Sequence, residues 1–373
     1  MQYRLTALTP LLVGDGKRLA PIDYMVWKDQ INVLDQQRIF RLLSKGPRLD
    51  GYLAQLRKAE KLDFASWGGF AQNYAARRIP FEHPSSSAFW EAARAEQLFI
   101  PTFAAGPHGP YVPGTALKGA LRTALAASRW NAGTVKELAN RAAGERGLRR
   151  PGEAGEALTL GSGGSDLMRN VQVGDSGTVP LQGFRIYVMR TGALSERGGK
   201  LELAWKQAPR GYVGRSGDAT PSFVEMAPAR TSFSGVFGVA SRSTNRREAG
   251  AGPERLLEAA NDHATRLLDL HREWANRTGL TRLGANLDAL AGAVKDARAR
   301  RDSCVLHMGH AAGFLSKTAF TDTANEDLRK LLRNSPNYER AIRTGLPFPK
   351  TRRIVFEGGE PSTLPGWVLL ELR

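Results

Sequence analysis

The sequence predicts an α+β protein. Three observations carry this: strand-forming runs at both chain ends, a middle stretch of short β-prone runs broken by glycine, and leucine-alanine segments at helical spacing on either side of it. At 373 residues the chain can build one large domain or two ordinary ones, each with a proper core.

Gln2 to Val13 alternates through Leu5, Leu8, Leu11 and Leu12 and ends at Gly14-Asp15-Gly16, a strand followed by a turn. Tyr24 to Lys28 and Ile31 to Leu34 flank Asp29-Gln30 as a hairpin. From Gln36 to about Ala95 the spacing is helical, through Ile39, Leu42, Leu43, Leu53, Leu56 and Leu62 to Phe89, Trp90 and Ala93, so this block reads as a helical insertion between early strands. Leu98 to Phe103 is extended. Pro113-Gly114 breaks that run, Thr115 can cap, and Leu117, Leu121 and Leu125 open helices that continue to Ala143. Gly144 to Gly164, rich in Gly, Arg and Glu, reads as a loop or linker and marks the boundary between parts 1–145 and 146–373.

Beyond it, strands are expected at Asn170 to Val173, Gly183 to Met189, Leu201 to Trp205, Ser222 to Met226 and Ser232 to Val239. Ser241 to Arg301 is an amphipathic helical pair with basic edges, Arg242, Arg246 and Arg247 before it and Lys295, Arg298, Arg300 and Arg301 after it. Such charge runs are often no more than a solvated face. Cys304 to Leu306 is a short strand, and Trp367 to Leu372 is the last. Strands at both termini imply that the two ends pair in one sheet.

Lys and Arg number 53 against 36 Asp and Glu, a formal net charge of +17, which points to a polyanion and first of all to nucleic acid. Cys304 is the only cysteine, which excludes an internal disulfide framework and a cysteine-rich zinc site and fits a reducing cytoplasm. The start shows no secretory-signal pattern, and no run is apolar for about 18 residues, so the chain reads as soluble.

Two glycine-basic elements stand out. In Pro110 to Arg122, the turn Pro113-Gly114 meets a helix whose leucines face inward, which puts Lys118 and Arg122, four residues apart, on one outer face beside the N–H groups of the helix start. In His307 to Thr318, Gly309, His310, Gly313, Ser316 and Lys317 form a second amide-hydroxyl-lysine cradle. Both suit a phosphate backbone. The second has a Walker-like outline, but three residues separate Gly313 from Lys317, whereas a P-loop lysine follows its glycine directly.

The order of Thr9-Pro10-Leu11-Leu12-Val13-Gly14, the Tyr111 to Arg122 segment and the late glycine loop resembles the RAMP superfamily of CRISPR proteins. Arg169 to Ser176, Glu225 to Thr231, Gly313 to Thr318, Pro349-Lys350-Thr351-Arg352 and Gly366-Trp367-Val368 narrow the resemblance, which runs end to end, to the fifth-subunit family of the Csm complexes of type III-A. The resemblance implies a ferredoxin-like (RRM-type) core with an antiparallel sheet and large helical insertions. It implies a subunit that binds the 3′ region of the guide (crRNA), caps the end of the filament of backbone subunits and supports guide maturation as a structural binder without catalysis; from the residues themselves no cofactor is expected, and no His-Glu-x-x-His pattern or clustered ligand set argues for a metal.

Its expected partners are guide RNA, neighbouring backbone and small subunits, and host nucleases for guide trimming. Carried over by position, Gly114, Thr115, Lys118 and Arg122 contact the guide from the first helix, and Gly309, His310, Gly313, Ser316 and Lys317 from the second element, with Lys350 and Arg352 nearby. Two departures stand out: Thr115-Ala116 leaves one hydroxyl where relatives often have a serine pair, and His310-Ala311-Ala312 replaces more usual glycines.

Two other readings stay open. A metal-dependent endoribonuclease of the same superfamily would use an early-loop carboxylate, Asp15 or Asp23, or the loop imidazole of His108, each more simply a turn residue. A basic scaffold protein would touch RNA incidentally. Among the aromatics, Tyr212, flanked by Arg210-Gly211 and Gly214-Arg215, is the one placed to stack a base.

Overall fold

The structure, a computed structural model, describes residues 1–58, 73–144, 148, 150–209, 211–240 and 252–373. Leu62, Arg210 and the basic residues Arg242, Arg246 and Arg247 lie outside them.

Four strands, Trp367–Leu372, Gln2–Ala7, Ser232–Val239 and Val171–Val173, lie side by side and all antiparallel, with Ser303–His307 added outside Trp367–Leu372. Taken in chain order, the four occupy positions 4-1-3-2 of a ferredoxin-like sheet. The chain ends therefore pair as expected, Leu5 opposite Leu370 on one side and Phe233 on the other. The helix Gly114–Arg129 joins the first and second of these strands, and Pro253–Thr278 joins the third and fourth; the two helices pack on each other. Tyr3, Leu5, Leu117, Leu121, Phe237, Leu256 and Leu370 fill the core between sheet and helices.

A second sheet runs Tyr212–Val213, Lys200–Lys206, Arg185–Arg197, Thr351–Glu357, Glu360–Thr363, with Ser222–Met226 paired to the first half of the long Arg185–Arg197 strand. Helix Thr281–Arg300 lies antiparallel to Pro253–Thr278 after Gly279 closes that helix in the left-handed region, φ +68°. Their inner leucines, Leu267, Leu283, Leu287 and Leu290, share a core with Ile186, Trp205 and Ile354 of the second sheet.

Two expectations are corrected. The block after Gln36 is not wholly helical: helices Gln36–Leu43, Leu49–Lys58 and Ser86–Ala92 are interrupted by the strand Ala75–Pro80, which pairs with Gln30–Leu34 so that Ile79 and Ile31 are buried opposite each other. Apolar spacing pointed to helix across the block, and pairing with the early hairpin overrode it here. The Gly144–Gly164 segment carries a helix, Pro151–Leu160, with Pro151 at its first turn. Gly155 of this helix lies against Trp130, so closely that a Cβ there would come within 2.3 Å of the indole. Loop composition concealed a packed glycine.

Candidate nucleic-acid interface

The first basic element is locked before it can meet a ligand. Val112 and Ser176 exchange two hydrogen bonds, Val112 N–H to Ser176 Oγ at 2.9 Å and Ser176 N–H to Val112 O at 3.0 Å. The helix start is capped not by Thr115 but by Asp175, whose Oδ1 accepts the Gly114 N–H at 2.8 Å. A Cβ at Gly114 would stand 2.2 Å from Val173 O, so glycine here admits a strand rather than a phosphate. This corrects the reading of the Gly114 amide as a free anion cradle: its own chain supplies the anion.

Arg122 is likewise corrected. Its guanidinium bonds Glu156 Oε2 at 2.6 Å and Asp166 Oδ2 at 2.9 Å, tying the helix to Pro151–Leu160 and to the loop after it. Thr115 stays exposed and Lys118 half-buried, and Lys118 has no carboxylate partner among the described residues.

The second element follows Ser303–His307. Met308 N–H donates to Gly366 O at 2.8 Å, Gly366 N–H to Pro10 O at 2.9 Å, and His310 N–H to Leu12 O at 2.7 Å, so the loop is pinned to the extension of the first strand. Gly309, φ +87°, is demanded by that seam, because a Cβ would meet Leu12 O at 2.4 Å. Positive φ then recurs at Ala311 (+65°) and Gly313 (+85°), alternating with ordinary backbone at His310 and Ala312. Such alternation turns successive N–H groups toward one concavity. The amides of Ala311, Ala312 and Gly313 have no acceptor among the described residues.

Ser316 is buried, its Oγ 2.6 Å from His307 Nδ1 and 3.1 Å from Ala312 O, so its hydroxyl shapes the loop from within and is not presented to a ligand. Lys317 is exposed and free of carboxylates among the described residues. The turn Leu315–Lys317 packs against the helix Gly114–Arg129. Lys118 and Lys317 thus hang from two elements in contact. His310 sits 3.4 Å from Arg353 Nη1, and burial, with Arg353 and Lys317 adding, lowers its pKa, so it is neutral near pH 7 and acts as a neutral hydrogen-bonding group.

Of the last pair, Lys350 holds its ammonium 5.5 Å from the ring centre of exposed Tyr212, bringing together a lysine and the aromatic singled out in the sequence. Arg352 is buried: Nε donates to His271 Nδ1 at 2.8 Å and Nη1 to Pro349 O and Thr351 O. Burial lowers its pKa to about 9, and it has no carboxylate partner among the described residues. It is a wall residue, not a surface contact.

Asp15 pairs with Lys17 at 2.7 Å, which lowers its pKa, and Asp23 accepts the Ala20 N–H at 2.7 Å; both act as turn ligands. His108 lies exposed in a two-residue turn between Ala105–Gly106 and Gly109–Pro110. Sequence reasoning missed Asp175 as the helix cap and Gly366 as a latch, although both stand inside motifs it quoted. It also missed the aromatic cluster of Phe314, Tyr338 and Phe348, ring centres 4.9 to 5.9 Å apart, for which no periodic spacing gave a signal.

Among known structures, one similar chain belongs to a Csm–crRNA–target RNA ternary complex of a type III-A CRISPR-Cas system, with 20% identity, a TM-score of 0.67 and complete coverage of both chains. Another is Csm5 of T. onnurineus, at 18% identity and a TM-score of 0.62, covering 98% of this chain and 99% of that one. At these identities the likeness is one of fold. No curated protein matches the chain significantly. The model of the RAMP superfamily matches residues 4–342. With that match spanning nearly its whole length and the ferredoxin-like sheet described above, the chain belongs to the RAMP superfamily.

Proposed function

We propose that this chain is a guide-RNA-binding subunit of a type III-A CRISPR ribonucleoprotein that caps one end of the backbone filament, grips the 3′ region of the guide and supports its maturation, acting as a binder and not as an enzyme. The observation that carries this is that Lys118 and Lys317, neither matched by a carboxylate among the described residues, sit on two elements in contact, and that the loop leading to Lys317 holds the three unclaimed amides of Ala311, Ala312 and Gly313. Amides and ammonium groups bind phosphates without reading bases, as a guide of any spacer sequence requires. The net charge of +17 and the fold shared with a chain of a Csm–crRNA–target RNA complex agree with it.

In this reading Thr115, Lys118, Gly313, Lys317 and Lys350 face the RNA, His310 contributes a neutral hydrogen bond, Arg352 adds positive charge from the buried wall behind the loop, and Gly114, Gly309, Arg122 and Ser316 hold the scaffold. The test is equilibrium binding of two RNAs of unrelated sequence to the wild type and to Lys118→Ala/Lys317→Ala. Both RNAs should weaken equally, and the slope of log affinity against log salt should flatten by about 0.7 per lost contact. A loss confined to one RNA contradicts the proposal.

A further inference from the structure

Behind the glycine loop lies a cavity of about 490 Å³, within the range of small-molecule sites. Its walls differ in kind. They include an edge-to-face cluster of aromatic rings, Phe314, Tyr338 and Phe348, and three cationic side chains, Lys317, Arg352 and Arg353. Among the described residues no carboxylate lines it. Arg352 is nine-tenths buried with only neutral partners, His271 and two carbonyls, and a buried guanidinium without a counter-charge is costly unless an anion completes it. Ala311, a non-glycine residue held in the left-handed region, lines the cavity together with Ala312 and Gly313, the residues whose amides are unclaimed.

We propose that this cavity receives one nucleotide of the bound RNA, its base against the aromatic wall and its phosphate between the loop amides and the cluster of Arg352, Arg353 and Lys317. This rests on the guide-binding reading and adds to it a discrete single-nucleotide site, distinct from a surface that follows the backbone. The aromatic wall accepts any base face, so the site discriminates nucleotide from phosphate and not one base from another.

The test titrates the full chain with 2-aminopurine riboside 5′-monophosphate and follows its fluorescence. Saturable quenching is expected, competed equally by adenosine and uridine monophosphates and poorly by inorganic phosphate. Tyr338→Leu and the exposed Arg353→Gln should each weaken it about tenfold. Lys118→Ala, outside the cavity, should leave nucleotide binding unchanged while weakening binding of a long RNA. Absence of saturable quenching, or quenching indifferent to both Tyr338→Leu and Arg353→Gln, overturns the cavity proposal; if RNA still binds, the guide-binding reading survives it. Displacement of the nucleotide by a short acidic peptide at equal or lower concentration also overturns it, assigning the cavity to a neighbouring subunit. Nucleotide binding without any RNA binding upholds the cavity and overturns the guide-binding reading.

Discussion

Acid should destabilise this protein well before its carboxylates titrate. His263 and His271, on the helix Pro253–Thr278, and His307, at the end of the strand that leads into the glycine loop, are all buried. His307 is fixed as a neutral ring, Nε2 2.9 Å from Pro365 O, Nδ1 2.6 Å from Ser316 Oγ, its face stacked on Trp367 at 4.3 Å. Burial pushes its pKa down to about 3, and burial with Arg266 pushes that of His263 down to about 4; burial, then Arg352 and His307, put His271 well below the ordinary histidine range.

In the unfolded chain each returns to about 6.5. Because the folded values are depressed, their contribution is complete above pH 6.5 and is lost as pH falls below it, while the native rings stay neutral and the unfolded chain takes up protons. At pH 5 the deficit is about 1.5 units, or about 2 kcal/mol, for each of His263 and His307, with His271 adding in the same direction. Two of them alone take about 4 kcal/mol from a total that is usually about 5 to 15. Urea midpoints at pH 8, 6.5 and 5 and fixed ionic strength measure this, and His263→Leu should shrink the fall by about 2 kcal/mol. A midpoint unchanged from pH 8 to pH 5 would refute the burial of these rings as neutral groups.

Three further outcomes follow from the same packing. Gly366→Ala, at φ +93° with a Cβ 2.1 Å from Met308 O, should lower stability by about 2 to 4 kcal/mol in thermal or chemical unfolding, because it strains the seam between the glycine loop and the first strand. Asp175→Ala should cost about 1 kcal/mol through the lost cap and leave RNA affinity unchanged or slightly improved, whereas Asp175→Asn, which keeps an acceptor, should cost less. Arg122→Ala should lower stability modestly, by about 1 kcal/mol for partly exposed pairs, seen as a small fall in melting temperature, and leave RNA affinity within about twofold.

Much of the frame was legible because its signals are local. Alternation and glycine punctuation placed Ser222–Met226, Ser232–Val239 and Trp367–Leu372 at their observed bounds, and helical leucines placed Gly114–Arg129. What local pattern could not carry was partnership across the chain. Whether Arg122 meets RNA or a carboxylate depends on Glu156 and Asp166, 34 and 44 residues away, and whether Gly114 offers its amide depends on Asp175, 61 residues away. Ser316 read as a surface hydroxyl because its burial comes from His307 folding back beneath it. Lys118 and Lys317 survive as candidates for the complementary reason: nothing acidic in the described fold reaches them.

In the proposed function, Lys118 and the Ala311–Lys317 loop grip one RNA strand together. Photocrosslinking a 4-thiouridine-bearing guide in the assembled ribonucleoprotein, followed by peptide mapping, tests it directly. Crosslinks from nearby guide positions to both the peptide holding Thr115 and Lys118 and the peptide holding Ala311 to Lys317, for more than one spacer sequence, are the predicted result. Crosslinks to neither peptide while the guide is held elsewhere on this chain, or to one only, would contradict it.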